Sequence, residues 1–359
     1  MVYAVVLAGG RGERFWPLSR ADRPKQFLRL TSDKMMLEET IDRVMPLIPR
    51  ENVRIVTNES MKSFMLNHVE NVTEAHILAE PIGRNTCAAI GLAAVHLYHA
   101  DPQAVMVVLS ADHLIRPAEK LLKILDTAVN IAANEDRLIT VGIVPMRPET
   151  GYGYIRMGEL YRQQGEQTVY HVAGFTEKPR SALAHEYYYS HKYLWNSGMF
   201  VWSADSILRA IRRWQPDVGE HLDEYARAVG TDIELQARRD LYDKVISISI
   251  DFAVMEKADN VLTIKGDIVW DDIGGWTALE RYKDRDTENN VVIGKAVLVD
   301  TYETTICNET DELVATLGVS DLVVVRCEDI TMIIHKTKAQ DVKKILAELR
   351  EDDSLRKYI

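Results

Sequence analysis

Two short runs, residues 3–7 and 105–109, are apolar at every position. A strand with one wet face alternates, so a strand that is apolar throughout is covered on both faces, as in a parallel sheet flanked by helices. Between such runs the period changes. Leu37, Ile41, Val44 and Ile48 fall at spacings of three and four and mark one helical face. Residues 53–57 form a second strand, 86–98 an Ala-rich helix behind a Gly83 turn, 121–133 another helix, and 138–144 another strand. This βαβα order predicts a Rossmann-like, doubly wound α/β sheet.

The texture then shifts. Residues 154–157 and 169–175 read as strands with no long helix between them. Helices follow at 181–193, 204–214 and 233–245, and short strands at 261–265 and 267–270. These segments predict a mixed-sheet half that completes the same domain. A polar run over 284–290 reads as a linker. Beyond it come short β segments at 296–299, 304–306, 313–316, 322–325 and 332–334, separated by Gly, Asn and Asp turns, then a helix over about 339–349. The expected organisation is a catalytic domain over 1–287 and a small β-rich C-terminal domain over 288–359 ending in that helix.

Lys plus Arg number 43 against 54 Asp plus Glu, a net charge of −11, which argues against nucleic-acid binding. The three cysteines, Cys87, Cys307 and Cys327, form no CxxC pair and read as small buried side chains in a reducing compartment. No run approaches the roughly 20 apolar residues of a membrane span, and no basic segment precedes a long apolar core at the N-terminus. The expectation is a soluble cytoplasmic protein with no membrane partner.

The 3–7 strand empties into Ala8-Gly9-Gly10-Arg11-Gly12-Glu13-Arg14, with Pro17 and Pro24-Lys25-Gln26 beyond. A strand followed by a Gly-rich loop can bring backbone N–H groups against phosphate oxygens. Arg14 and Lys25 add two cations. No Gly-Lys-Ser/Thr follows, so the loop is not a P-loop, and Phe15 stands where a dinucleotide fingerprint needs its third glycine. The pattern suits a nucleoside triphosphate whose phosphorus will be attacked; the plain alternative is a tight turn with solvated charges. Asp112 follows the 105–109 strand, at the carboxyl end where open α/β sheets bind ligands, and is a candidate Mg²⁺ ligand. His113 beside it reads equally as a substrate contact or a hydrogen-bonded loop histidine.

Residues 7–20, with Phe15-Trp16-Pro17-Leu18-Ser19 and Pro24-Lys25-Gln26-Phe27, resemble the signature loop of the sugar-1-phosphate nucleotidylyltransferases. The resemblance is greatest to the branch that transfers GMP from GTP to alpha-D-mannose 1-phosphate, giving GDP-mannose and pyrophosphate. It implies a nucleotide-diphospho-sugar transferase type of fold with Mg²⁺ as cofactor. It further implies Arg14 and Lys25 as catalytic cations, and Ala8, Gly9, Gly10 and Gly12 at the nucleotide. Glu80-Pro81-Ile82-Gly83-Arg84-Asn85-Thr86 resembles the segment beside the base, with Glu80, Arg84, Asn85 and Thr86 as binding residues. A carboxylate such as Glu80 can accept both N–H donors of guanine. Thr86 stands equally well as a helix cap.

Gly151-Tyr152-Gly153 and Phe175-Thr176-Glu177-Lys178-Pro179 resemble the sugar side, with Gly151, Gly153, Glu177, Lys178 and Asn196 of Trp195-Asn196-Ser197-Gly198 as sugar-phosphate residues. In Trp270-Asp271-Asp272-Ile273-Gly274-Gly275 the matching metal ligand is Asp272, with Asp271 as a neighbouring carboxylate. Some members carry a further barrel with phosphomannose isomerase activity, which the resemblance does not extend to here. Two other readings stay open: another hexose 1-phosphate or nucleotide as substrate, and a non-catalytic regulatory subunit that binds nucleotide sugars. A homodimer through the β-rich region is a further expectation.

Overall fold

Val2–Leu7 pairs in parallel with Val53–Asn58 on one side and with Val105–Ser110 on the other, which covers its edges and leaves helices to cover its faces. A computed structural model describes residues 1–10 and 12–359; Arg11 of the glycine-rich loop lies outside the described residues. The chain forms two compact units that do not follow chain order. One comprises Met1–Gly9, Thr40–Ala111 and Ile115–Trp270; the other comprises Gly10–Glu39, Asp112–Leu114 and Asp271–Ile359.

The first unit is built on a nine-stranded mixed sheet. Its order is Ile77–Glu80, Val53–Asn58, Val2–Leu7, Val105–Ser110, Tyr193–Ser203, Leu138–Ile143, Val261–Gly266, Gln167–Thr176 and Tyr154–Gln164. The first four are mutually parallel, and Tyr193–Ser203 enters antiparallel between Val105–Ser110 and Leu138–Ile143. The expected doubly wound mixed α/β sheet is therefore what the chain forms. The Asn85–Ala100 helix is apolar nearly all round and buried. Its Gly91 packs so tightly on Leu222 that a Cβ there would approach the leucine Cδ1 to 2.7 Å. The Ala204–Trp214 helix starts where expected because the Ser203 hydroxyl accepts the Ser206 N–H at 3.0 Å.

Several elements differ from the sequence reading, the strand Ile77–Glu80 among them, and two helices show why. The helix expected over 181–193 ends at Ser190, where His191 turns into the left-handed region (φ 55°), and Tyr193 already belongs to a long strand. The Pro216–Ala226 helix was not foreseen, although a proline at its first turn is a start signal.

The second unit contains the expected β-rich region and terminal helix. Its strands stack as parallel coils. Val291 pairs with Thr305 and Thr305 with Val323, while Ala296–Tyr302 pairs in parallel with Val314–Ser320. Ile330–His335 closes one sheet antiparallel on Leu322–Cys327. Gly294 (φ 89°) is required at a corner, since a Cβ there would sit 2.0 Å from the Asn308 carbonyl oxygen. The core of this unit joins Phe15, Trp16 and Leu28 to Val323, Val325, Val342 and Leu346. Trp16 Nε1 donates to the Tyr358 carbonyl at 2.7 Å, and the Phe15 and Trp276 rings meet edge-on at 5.2 Å. The aromatic residues of the loop motif are thus core anchors. All three cysteines are buried and unbridged, and burial pushes the Cys87 and Cys307 thiols up to about 12. No helix among the described residues is long and apolar enough to cross a membrane.

Candidate active site

A cavity of about 440 Å³ in the second unit brings together Gly12, Arg14, Lys25, Asp112 and Asp272, with Lys343 on its wall. The approach of two backbone segments shapes it. Gly12 adopts φ 62°, and a Cβ on it would lie 2.3 Å from Lys25 Cβ, so only glycine fits. This contact seats Lys25 in the short Lys25–Phe27 turn, where it is 6% exposed. The buried ammonium is satisfied by three acceptors: Asp112 Oδ2 at 2.7 Å, the Asp112 carbonyl at 3.1 Å and the Asp272 carbonyl. Lys25 therefore ties together the loops that carry both candidate metal ligands.

Crowding by protein atoms would push the Asp112 carboxyl up. The Lys25 ammonium and then His113 outweigh that, and Asp112 titrates below the usual carboxylate range. Its side chain still keeps 35% of its surface accessible in the cavity. His113 Nε2 lies 3.9 Å from Asp112 Oδ1. On the opposite loop, a Cβ on Gly274 would stand 3.2 Å from both Asp272 carboxylate oxygens, and Arg14 Nη1 donates to the Gly274 carbonyl at 3.0 Å. Ile273 holds a left-handed backbone (φ 44°), unusual for a β-branched residue. Asp271 fixes that bend: its Oδ1 accepts the Ile273 N–H at 2.8 Å. The fully buried Asp271 carboxylate also receives Arg281 in a fork at 2.8 and 3.0 Å and the Tyr282 hydroxyl at 2.8 Å. It is a neighbouring structural carboxylate.

The remaining candidates lie in the first unit, except Gly10, which is exposed and belongs to the second. Ala8 is buried and its N–H donates to the Val56 carbonyl at 2.8 Å. Gly9 faces Glu80: a Cβ on Gly9 would lie 3.4 Å from Glu80 Oε2. Glu80 is 5% exposed, and its Oε1 has no hydrogen-bond partner. Burial pushes the Glu80 carboxyl up to about 7, against a smaller opposing effect of Tyr242. Arg84 Nε donates to the Tyr242 carbonyl at 2.7 Å. Asn85 has φ 66°, and its Oδ1 accepts the Thr86 N–H at 2.8 Å. The Thr86 hydroxyl caps no helix; it accepts the Ile250 N–H at 2.8 Å.

The sugar-side candidates form a separate cluster in the same unit. A Cβ on Gly153 would come within 2.6 Å of Glu177 Oε2 and 3.4 Å of Asn196 Cβ. Lys178 Nζ pairs with Glu177 Oε1 at 2.5 Å, and the Asn196 N–H donates to the Gly153 carbonyl at 2.8 Å. Gly151 sits in the turn before them, its N–H donating to Glu149 Oε1 at 3.1 Å. The structure adds Asp251, which opens the π-turn Asp251–Met255 and accepts Asn196 Nδ2 at 2.7 Å. Burial pushes Asp251 up; the Asn196 bond opposes this and the Glu177 charge adds to it. Sequence reasoning missed it because a π-turn has no hydrophobic signature, although such turns favour functional sites.

Residues 3–289 match the family described as Nucleotidyl transferase, and residues 294–349 match the MannoseP isomerase/GMP-like beta-helix domain. The chain belongs to the nucleotidyl transferase family. A mannose-1-phosphate guanylyltransferase of Escherichia coli is 36% identical over 359 residues, an alignment covering 98% of this chain and 74% of the relative. Mannose-1-phosphate guanylyltransferase ManC of Salmonella typhimurium is 37% identical over 357 residues, with the same coverage of 98% and 74%. A Thermus thermophilus crystal structure described as a mannose-1-phosphate geranyltransferase is 37% identical, with a TM-score of 0.85, covering 97% of this chain and 99% of that one.

Proposed function

We propose that this chain transfers GMP from GTP to alpha-D-mannose 1-phosphate, releasing pyrophosphate and forming GDP-mannose. The observation that carries the reading is the cavity where Arg14, Lys25, Asp112 and Asp272 meet the Gly12 turn. It occurs in a chain more than a third identical, over nearly its whole length, to enzymes of that name. Catalysis is drawn from residues 1–287, and residues 288–359 support it.

Both substrates are anions, so their approach costs Coulomb energy that fixed cations must offset. A phosphate oxygen of mannose 1-phosphate is ionised near neutral pH and needs no protein base. It attacks the α-phosphorus in line, the bond to the bridging oxygen breaks, and pyrophosphate leaves with the electron pair. Arg14 and the amides of Gly9, Gly10 and Gly12, beside Ala8, hold the β- and γ-phosphates. Lys25 stabilises charge at the α-phosphate and keeps Asp112 and Asp272 in place. Lys178 holds the attacking phosphate; Gly151, Gly153, Glu177 and Asn196 bind the hexose. Glu80 accepts the guanine N–H donors, and its burial with Oε2 next to Gly9 supports that role. Arg84, Asn85 and Thr86 shape the turn next to it.

The donor set of Asp112 and Asp272 fits a hard divalent ion, as the family generally uses. Among the described residues no group of three or more His, Cys, Asp or Glu gathers as ligands. Mg²⁺ commonly takes one or two carboxylates and completes its shell with substrate phosphates and water. When bound, Mg²⁺ supplies Lewis-acid neutralisation of the phosphate charge. The test is pyrophosphate release by the purified chain, with each of the four nucleoside triphosphates and with mannose or glucose 1-phosphate. Mg²⁺-dependent release that requires GTP and mannose 1-phosphate is expected. No release, or equal rates with another pair, overturns the reading.

A further inference from the structure

We infer that Lys343, on the C-terminal helix Val342–Glu351, is a phosphate-binding cation for the pyrophosphate end of the nucleotide. The inference deepens the proposed reaction and rests on it. Three cations line the cavity among the described residues: Arg14, Lys25 and Lys343. Lys25 is buried and committed to three acceptors on the aspartate loops. Arg14 donates to the Gly274 carbonyl. Lys343 is differently placed. Its side chain is 59% exposed, and its ammonium stands 3.9 Å from Glu13 Oε2, beyond hydrogen-bond reach.

Glu13 does not cancel that charge, because its other oxygen already receives Arg350 at 2.7 Å. Arg350 and Glu13 form the close pair, and Lys343 is held at the cavity wall by a longer-range pull. The helix that carries it is fixed: Val342 and Leu346 are 1% and 3% exposed, in the core that contains Phe15 and Trp16. Lys343 thus projects an exposed ammonium from a buried helix base into the cavity that Gly12 and Arg14 also line. A triphosphate carries about four negative charges, more than a divalent ion neutralises. A lysine binds terminal phosphates as a compact point charge with three donors, and an arginine can take its place there. The bland alternative is a solvated partner of Glu13, and the two readings make opposite forecasts.

The test uses the full-length chain and inorganic pyrophosphate as the probe, titrated calorimetrically with Mg²⁺ present. Product inhibition by pyrophosphate and KM values in both directions complete it. Lys343→Gln keeps a good helix former and should weaken pyrophosphate about 5- to 20-fold, as loss of one partly exposed charge-assisted contact implies. The KM for GTP should rise by a similar factor, while KM for GDP-mannose and mannose 1-phosphate stays within about twofold. Lys343→Arg should restore pyrophosphate binding to within about threefold. Glu13→Gln should leave it unchanged or tighter, since a negative charge beside the cavity is removed; a loss as large as that of Lys343→Gln would show that Lys343 acts only through Glu13 and overturns the inference. Pyrophosphate affinity unchanged in Lys343→Gln overturns the inference, as does an equal loss for GDP-mannose. Failure of the wild-type chain to turn over GTP with mannose 1-phosphate would instead overturn the reaction on which it rests.

Discussion

The cavity around Lys25 and the pocket around Glu80 handle buried charge in opposite ways. In the first, Lys25 faces Asp112 and two backbone carbonyls, and Asp112 is held ionised by it. In the second, a carboxylate is buried against Gly9 with no cation beside it, only the weaker opposing effect of the Tyr242 hydroxyl, and burial pushes it up to about 7. A paired charge keeps its geometry whether or not a ligand is near. A buried carboxylate with no cation beside it costs stability that an incoming donor can recover. On the proposed reaction, the contrast separates groups that hold a reaction centre in shape from groups that recognise a substrate, and mutagenesis should separate them too.

The largest effects should come from the paired cavity. Lys25→Ala removes a charge and leaves Asp112 and two carbonyls without their donor. We expect kcat to fall about 10²- to 10³-fold, with a smaller change in GTP affinity. Steady-state kinetics that showed only a KM change would erase the distinction drawn above. Asp112→Asn and Asp272→Asn should each remove Mg²⁺-dependent turnover; near-normal activity in either variant takes that residue out of the metal set.

Glu80→Gln should act on recognition, raising KM for GTP about 10- to 100-fold with a lesser change in kcat. Glu80 also fixes a pH signature. Guanine needs the ionised carboxylate, so GTP affinity should fall about tenfold per unit as pH drops below about 7, and the glutamine variant should lose this slope. The stability effect has the opposite sense. A carboxyl raised in the folded state stabilises the fold at low pH, and that contribution is lost as pH climbs from about 4.5 to 7. Melting temperatures across that window should therefore fall in the wild type relative to the variant. If both behave alike, Glu80 is hydrated or paired in solution and the contrast with Lys25 collapses.

The smallest effect belongs to Asp251, which touches Asn196 and acts through it. Asp251→Asn should raise KM for the sugar phosphate about 3- to 10-fold, leave kcat within about twofold, and blunt discrimination between hexose epimers. Unchanged epimer discrimination would reduce Asp251 to a packing role.

Much of this was legible in the sequence, for local reasons. Apolar runs at 3–7 and 105–109 place two central strands because hydrophobic pattern and covered faces are a one-dimensional signal. Arg14, Lys25 and Asp112 could be picked out as charges beside a glycine-rich turn or a strand end, and Asp272 through the resemblance of residues 270–275 to the family's motif. What could not be read depends on distant residues. No pattern within 10–39 says that its aromatic side chains pack with 271–359, since that association is written in the shapes of both. The strand Tyr193–Ser203 hid behind a helical-looking approach because left-handed His191 ends the helix at a residue with no strong stop signal. The coils of the β-rich region read as short strands, but their parallel pairing follows from corner geometry at positions such as Gly294.

The bond from the Trp16 indole to the Tyr358 carbonyl has a practical consequence. Because the signature loop shares its foundation with the closing residues of the chain, a lesion in that tail will masquerade as a catalytic defect in any kinetic screen, while leaving the big sheet's spectroscopic signal intact.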